Sequence, residues 1–223
     1  RYTADGALDR SFGTGGKVLT SFGRGSYGGA RSLAVRPDGK VVVAGGAAVP
    51  PRIYNGFAMA RYTVAGKLDR TFGRNGKVLM YFGSRRGNVS NLAAIAIQAD
   101  GKVVAVGFSS YWPIGGRTRF ALARYTVRGR LDRSFGRDGK VLTDFAPRGS
   151  SSANAVAIQP DGKIVAVGGA VLSDQEYQAL ARYNADGTLD RSFGNRGKVV
   201  TKVGSFSDAV GVFVQTDAKL IVA

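Results

Sequence analysis

The chain alternates short apolar runs with glycine-rich polar turns, and no stretch carries the 3.6-residue period of an amphipathic helix. From Asn154 to Gln159, small and large apolar residues alternate (Ala155, Val156, Ala157, Ile158), and Pro160-Asp161-Gly162-Lys163 then supplies a turn. Ile164 to Val167 is a second strand, β-branched on both faces and therefore expected to be buried on both. Ala179 to Tyr183 predicts a third strand, Ala185-Asp186-Gly187 another turn, and Gly197 to Thr201 a fourth strand. The pattern predicts an all-β fold.

This unit is written four times. Arg1-Tyr2-Thr3 returns as Arg61-Tyr62-Thr63, Arg124-Tyr125-Thr126 and Arg182-Tyr183-Asn184, at intervals of 60, 63 and 58 residues. Each copy continues through Leu-Asp-Arg-Ser/Thr-Phe-Gly (Leu8, Leu68, Leu131 and Leu189 onward) to Gly-Lys-Val at 16, 76, 139 and 197. A repeat of four antiparallel strands that buries its faces against its neighbours is a β-propeller blade. Ala34, Ala94, Ala96, Ala155 and Ala157 leave first strands slim enough to crowd a central axis, and Phe12, Phe72, Phe135 and Phe193 are the expected wedges between blades. The expected layout is one quasi-symmetric domain, residues 1–223. It has half blades at 1–22 and 207–223, and three intact blades at 31–83, 92–145 and 153–203. It reads as a fragment of a longer array whose neighbouring blades are partners, with a closed four-bladed ring as the rival.

The segments Tyr183 to Val199 (Tyr-Asn-Ala-Asp-Gly-Thr-Leu-Asp-Arg-Ser-Phe-Gly-Asn-Arg-Gly-Lys-Val) and Ala157 to Gly169 (Ala-Ile-Gln-Pro-Asp-Gly-Lys-Ile-Val-Ala-Val-Gly-Gly) resemble the delta-60 repeat of bacterial β-propellers. The resemblance runs along the whole chain. It implies a propeller within a large secreted or cell-surface bacterial protein, and it brings no catalytic residue or activity with it. Departures are mild: Ala218 replaces the turn glycine, and Asp5 and Asp186 become Ala65 and Arg128 in the middle copies.

Charge changes the picture. The net charge is +17. Sixteen basic and eight acidic residues fall in repeat slots, which leaves an excess of 17−8=+9 elsewhere. Slot charges read as architectural: each slot Arg (1, 61, 124, 182) is expected to bond the Asp eight residues later (9, 69, 132, 190). The remaining excess is assigned to the variable loops, which in a propeller emerge on the face opposite the Asp-Gly turns. Those loops hold the candidate ligand-binding residues Arg24, Arg52, Tyr54, Arg85, Arg86, Tyr111, Trp112, Arg117, Arg119 and Arg148, with Tyr27 and Tyr177 nearby. Arg and aromatic side chains together suit sugar faces and anionic groups.

Catalytic readings find little support. The sequence has no His and no Cys, which removes the commonest general base and the thiolate nucleophile. Glu176 beside Tyr177 has the composition of a sialidase nucleophile pair, but adjacent strand residues face opposite ways. Paired aspartates such as Asp5 and Asp9 suit Asx turns better than calcium, because Ala65 and Arg128 break the pattern; no cofactor or metal is expected. No apolar run is long enough to span a bilayer. The favoured function is a noncatalytic scaffold or binding module whose partner is an acidic polysaccharide or a protein. The alternative is part of a carbohydrate-active propeller enzyme whose catalytic groups lie in other blades. Nucleic acid is disfavoured, since basicity comes without a recognition motif.

Overall fold

A computed structural model covers residues 1–223. It describes all of them except 52–54, 84–87, 112–115 and 205–206, and the side chain at 111 is likewise outside the description. Three four-stranded antiparallel sheets follow one another, each in simple chain order. The first holds β1 (Tyr27–Val35), β2 (Val41–Ala48), β3 (Gly56–Tyr62) and β4 (Lys77–Met80). The second holds β5 (Asn88–Ile97), β6 (Val103–Tyr111), β7 (Thr118–Tyr125) and β8 (Lys140–Thr143), and the third β9 (Ser150–Ile158), β10 (Ile164–Leu172), β11 (Gln175–Tyr183) and β12 (Lys198–Thr201). A two-stranded sheet, β13 (Val212–Val214) and β14 (Leu220–Val222), ends the chain. Among the described residues no helix is long and apolar enough to cross a membrane.

Double-sided burial has a direct cause. Along β6, Val103 and Ala105 belong to the core shared with the first sheet, and Val104 and Val106 to the core shared with the third. Along β10 the alternation repeats, with Ile164 and Ala166 facing the second sheet and Val165 and Val167 facing β13 and β14. The sheets therefore stack face to face, and each core lies between neighbours rather than within a sheet. First strands meet at the inner edge, where β5 touches both β1 and β9.

Two features bind the stack. Phe72 and Phe135 are almost fully buried at the joints, and burial of such a ring contributes roughly 1.5–3 kcal/mol. They lie under turn glycines of the next repeat: a Cβ on Gly129 or Gly187 would come within 2.8 Å of the Phe72 or Phe135 ring. The first strands also begin earlier than the apolar pattern indicates, at 27, 88 and 150 rather than 31, 92 and 153. Pairs such as Tyr27↔Ala48 and Asn88↔Tyr111 extend the ladders through polar sequence. Each extension crosses a bulge, between Ala30 and Ser32, Leu92 and Ala94, and Val167 and Gly168. There the backbones approach so closely that a Cβ on Gly107 would sit 1.9 Å from the Asn91 carbonyl oxygen, so the position demands glycine.

Residues 1–22 pack on the first sheet, where the Gly13 amide donates to the Ala65 carbonyl at 2.9 Å. The β13–β14 pair is held by Asn154, whose side-chain amide donates to Asp208 at 2.7 Å and to the Ala209 carbonyl at 3.0 Å. Among the described residues no hydrogen bond joins residues 1–22 to residues 207–223.

Candidate functional site

The repeated charges build a clasp. In every copy the slot Arg Nε donates to the Asp eight residues later: Arg1 to Asp9 at 2.8 Å, Arg61 to Asp69 at 2.9 Å, Arg124 to Asp132 at 2.9 Å, and Arg182 to Asp190 at 2.8 Å. The guanidinium also lies 4.5–4.8 Å from the centre of the wedge ring of its own copy. Its Nη1 crosses to the next repeat, from Arg1 to the Val64 carbonyl, Arg61 to Val127 and Arg124 to Ala185. A slot lysine completes three of the clasps, with Lys40, Lys102 and Lys163 reaching Asp69, Asp132 and Asp190 at 2.9–3.3 Å. The lysines of the Gly-Lys-Val slots in the later copies reach back to backbone carbonyls, Lys77 to Ser21, Lys140 to Tyr81 and Lys198 to Asp144. Sequence spacing exposes the Arg–Asp pair; the carbonyl and lysine partners come from other segments and leave only their periodicity as a signal.

These contacts fix the acids as anions. Burial works against ionisation of Asp132, yet the Ser134 hydroxyl and amide, Lys102 and Arg124 hold its carboxyl down at about 2. Asp9 is held at about 2 by the Ser11 hydroxyl and Arg1. Carboxylates committed in this way are poor proton donors near neutrality.

The loop candidates divide. Arg52, Tyr54, Arg85, Arg86 and Trp112 lie outside the described residues, as does the side chain of Tyr111, whose backbone ends β6. Arg117 and Arg119 come together at a depression of about 520 Å³ that Asp144, Phe145, Ala146, Pro147 and Lys198 also line. Arg119 Nη1 stands 3.9 Å from Asp144, a loose exposed pair. Arg148 is exposed in the same loop as Phe145 without lining the depression, and Arg24 is exposed in the loop before β1, at the first sheet.

Residues 36–72, 98–135 and 159–193 match a family model described as a domain of unknown function (DUF5122) beta-propeller. This is a β-propeller repeat protein. A crystal structure of an unknown-function protein from Dyadobacter fermentans DSM 18053 is similar to the propeller at 14% identity and a TM-score of 0.53. The match covers 86% of this chain and 55% of that one, so the propeller described here spans about half the length of that relative; at this identity the likeness concerns the fold alone. No curated protein matches.

One expectation needs correction. The non-slot cations do not gather mainly in the variable loops of the propeller: Arg36, Lys67, Arg74, Arg128, Arg130, Arg137 and Arg196 stand in turns of the opposite face. The turns after the first and third strands of each blade point that way because antiparallel pairing alternates the direction of successive connections.

Proposed function

We propose that the propeller is a noncatalytic scaffold or binding module of a secreted or cell-surface bacterial protein, akin to the delta-60 repeats its sequence resembles, and that its variable-loop face takes an acidic polymer. The observation that carries this reading is the depression where Arg117 and Arg119 of the second blade meet Lys198 of the third, with Asp144 as the single acid in its lining. Guanidinium forks and an ammonium held on strands β7 and β12, with Arg117 just before β7, suit carboxylate or sulfate groups. The noncatalytic part rests on occupied carboxylates: Asp9, Asp69, Asp132 and Asp190 are taken by the clasps. Asp38, Asp100, Asp161 and Asp217 each accept from the backbone amide two residues on.

The test is retention on immobilised heparin. Arg117→Ala with Arg119→Ala is expected to elute at lower salt than the parent, since solvent-exposed ion contacts weaken as ionic strength rises and fewer contacts are screened out sooner. Unchanged elution overturns the loop-face reading and leaves the scaffold.

A further inference from the structure

We propose that the turn face at the joint of the first two blades is a separate polyanion-binding surface, built by Arg70, Arg74, Arg128, Arg130, Arg133 and Arg137, and that its ligand is an acidic polysaccharide bearing carboxylate or sulfate groups. All six side chains are exposed, and none has a described hydrogen-bond or ion-pair partner. They belong to one surface because the clasp joins their backbones: the Gly73 amide donates to the Arg128 carbonyl at 2.8 Å, which sets Arg74 beside Arg128 across the blade boundary. Arg130 and Arg133 line a common depression of about 640 Å³ with Leu131, Asp138 and Lys140.

The fold itself segregates the charges. In each Leu-Asp-Arg slot the Asp turns inward: Asp69 and Asp132 are buried and taken by Arg61 with Lys40 and by Arg124 with Lys102. The Arg that follows each (Arg70, Arg133) faces solvent uncompensated. Asp138 is the one exposed acid in the β3–β4 and β7–β8 turns.

Repetition supplies an internal control. Arg128 and Arg130 stand where the last copy has Asp186 and Thr188 and the first has Asp5 and Ala7; in both of those copies the Asp accepts from a neighbouring Thr within the turn. The same turn therefore folds without these arginines, and architecture does not account for them. Crowding unpaired like charges on fixed turns disfavours the folded state, and a polyanion relieves it.

The surface chemistry selects the class of ligand. Phe72 and Phe135 are buried beneath the turns, so the β3–β4 and β7–β8 turns offer no exposed ring on which bases could stack, and among the described residues no helix or ribbon projects to enter a groove. Guanidinium forks on a rigid support remain, and these match carboxylate and sulfate groups along a sugar chain.

The experiment compares three variants with the parent by heparin and polygalacturonate binding and by binding to a DNA duplex at matched salt. The first is Arg128→Ser/Arg130→Ser/Arg133→Ser. The second is the loop pair Arg117→Ala/Arg119→Ala. The third is a charge-matched control, Arg31→Ser/Lys202→Ser/Lys219→Ser. Thermal melts verify that all fold. The turn variant is expected to lose at least about tenfold in polysaccharide affinity with a shallower salt dependence, while the control loses much less. A turn variant that falls no further than the control overturns the proposal. So does a parent that binds the duplex more tightly than either polysaccharide, or binds no polyanion at low salt. Loss in the loop pair alone overturns it while sparing the loop-face reading, and loss in the turn variant alone does the reverse.

Discussion

The two inner clasps and the two outer ones are made from the same residues at the same distances, yet they sit in different surroundings. Arg61 with Asp69 and Arg124 with Asp132 keep 5–10% of their side-chain surface exposed, whereas Arg1 with Asp9 keeps 43% and 23%. Arg182 is intermediate at 19%, and its guanidinium has no described carbonyl partner in a following repeat. Local sequence sets the geometry of the pair. Its energetic weight comes from the neighbour that covers it, as expected where stability is a sum of repeats and their interfaces. A buried pair loses far more than an exposed one when a single partner is removed, because the other charge is left without compensation.

The largest effect should follow. Asp69→Ala strands the buried Arg61 and is expected to cost about 3 kcal/mol in urea unfolding, while Asp9→Ala leaves stability nearly unchanged. Equal losses at the two sites would break the comparison. The wedges sharpen it: Phe135→Ala, at a fully buried joint, should cost about 3–5 kcal/mol, and Phe12→Ala, half-buried at the first copy, distinctly less in the same assay.

Acid should act on the clasps next. The folded carboxyl of Asp132 is depressed to about 2, below the unfolded value of roughly 3.9, so its contribution is fully present above about pH 4 and is lost as pH falls toward 2. Equilibrium melts between pH 5 and 2 should show this decline, and Asp132→Asn should flatten it. Added salt should weaken the exposed Arg1–Asp9 pair more than the buried Arg124–Asp132 pair. A slope in Asp132→Asn equal to that of the parent would refute the assignment.

The smallest effect separates two buried tyrosines. Thr143 Oγ1 lies 2.8 Å from the Tyr183 hydroxyl, and Thr20 Oγ1 lies 2.6 Å from that of Tyr62. At the equivalent position before Tyr125 the chain has Met80, in the same core cluster, and the buried Tyr125 hydroxyl finds no partner among the described residues. Tyr183→Phe is therefore expected to cost about 1 kcal/mol, and Tyr125→Phe to be neutral or stabilising. Thermal shifts of equal size and sign would contradict this.

Much of this was legible in the chain. Ile164 to Val167 announced burial on both faces because successive residues are all apolar, and the Arg–Asp pairs were legible because their partners lie eight residues apart on either side of one turn. The early starts of β1, β5 and β9 were not, since glycine, serine and asparagine in those extensions are ordered by backbone pairing and carry no apolar period. The candidate site was read less well. Sequence weighed Arg117 and Arg119 by their loops and could not supply Lys198, which arrives from the next blade. It counted Arg70 and Arg133 among the architectural slot charges, although the aspartates beside them are consumed from the inside and leave both arginines facing solvent.

By itself the sequence determined the repeat, the strand pattern and the positions where charge and aromatic rings recur, because these follow from alternation and turn chemistry within some twenty residues. Only the tertiary structure decided which charges are cancelled. Stacking one repeat on the next turns Asp69 and Asp132 inward to arginines and lysines and leaves Arg128, Arg130 and Arg133 together on the outside, since the partner that neutralises a charge is chosen by distance in space and not along the chain.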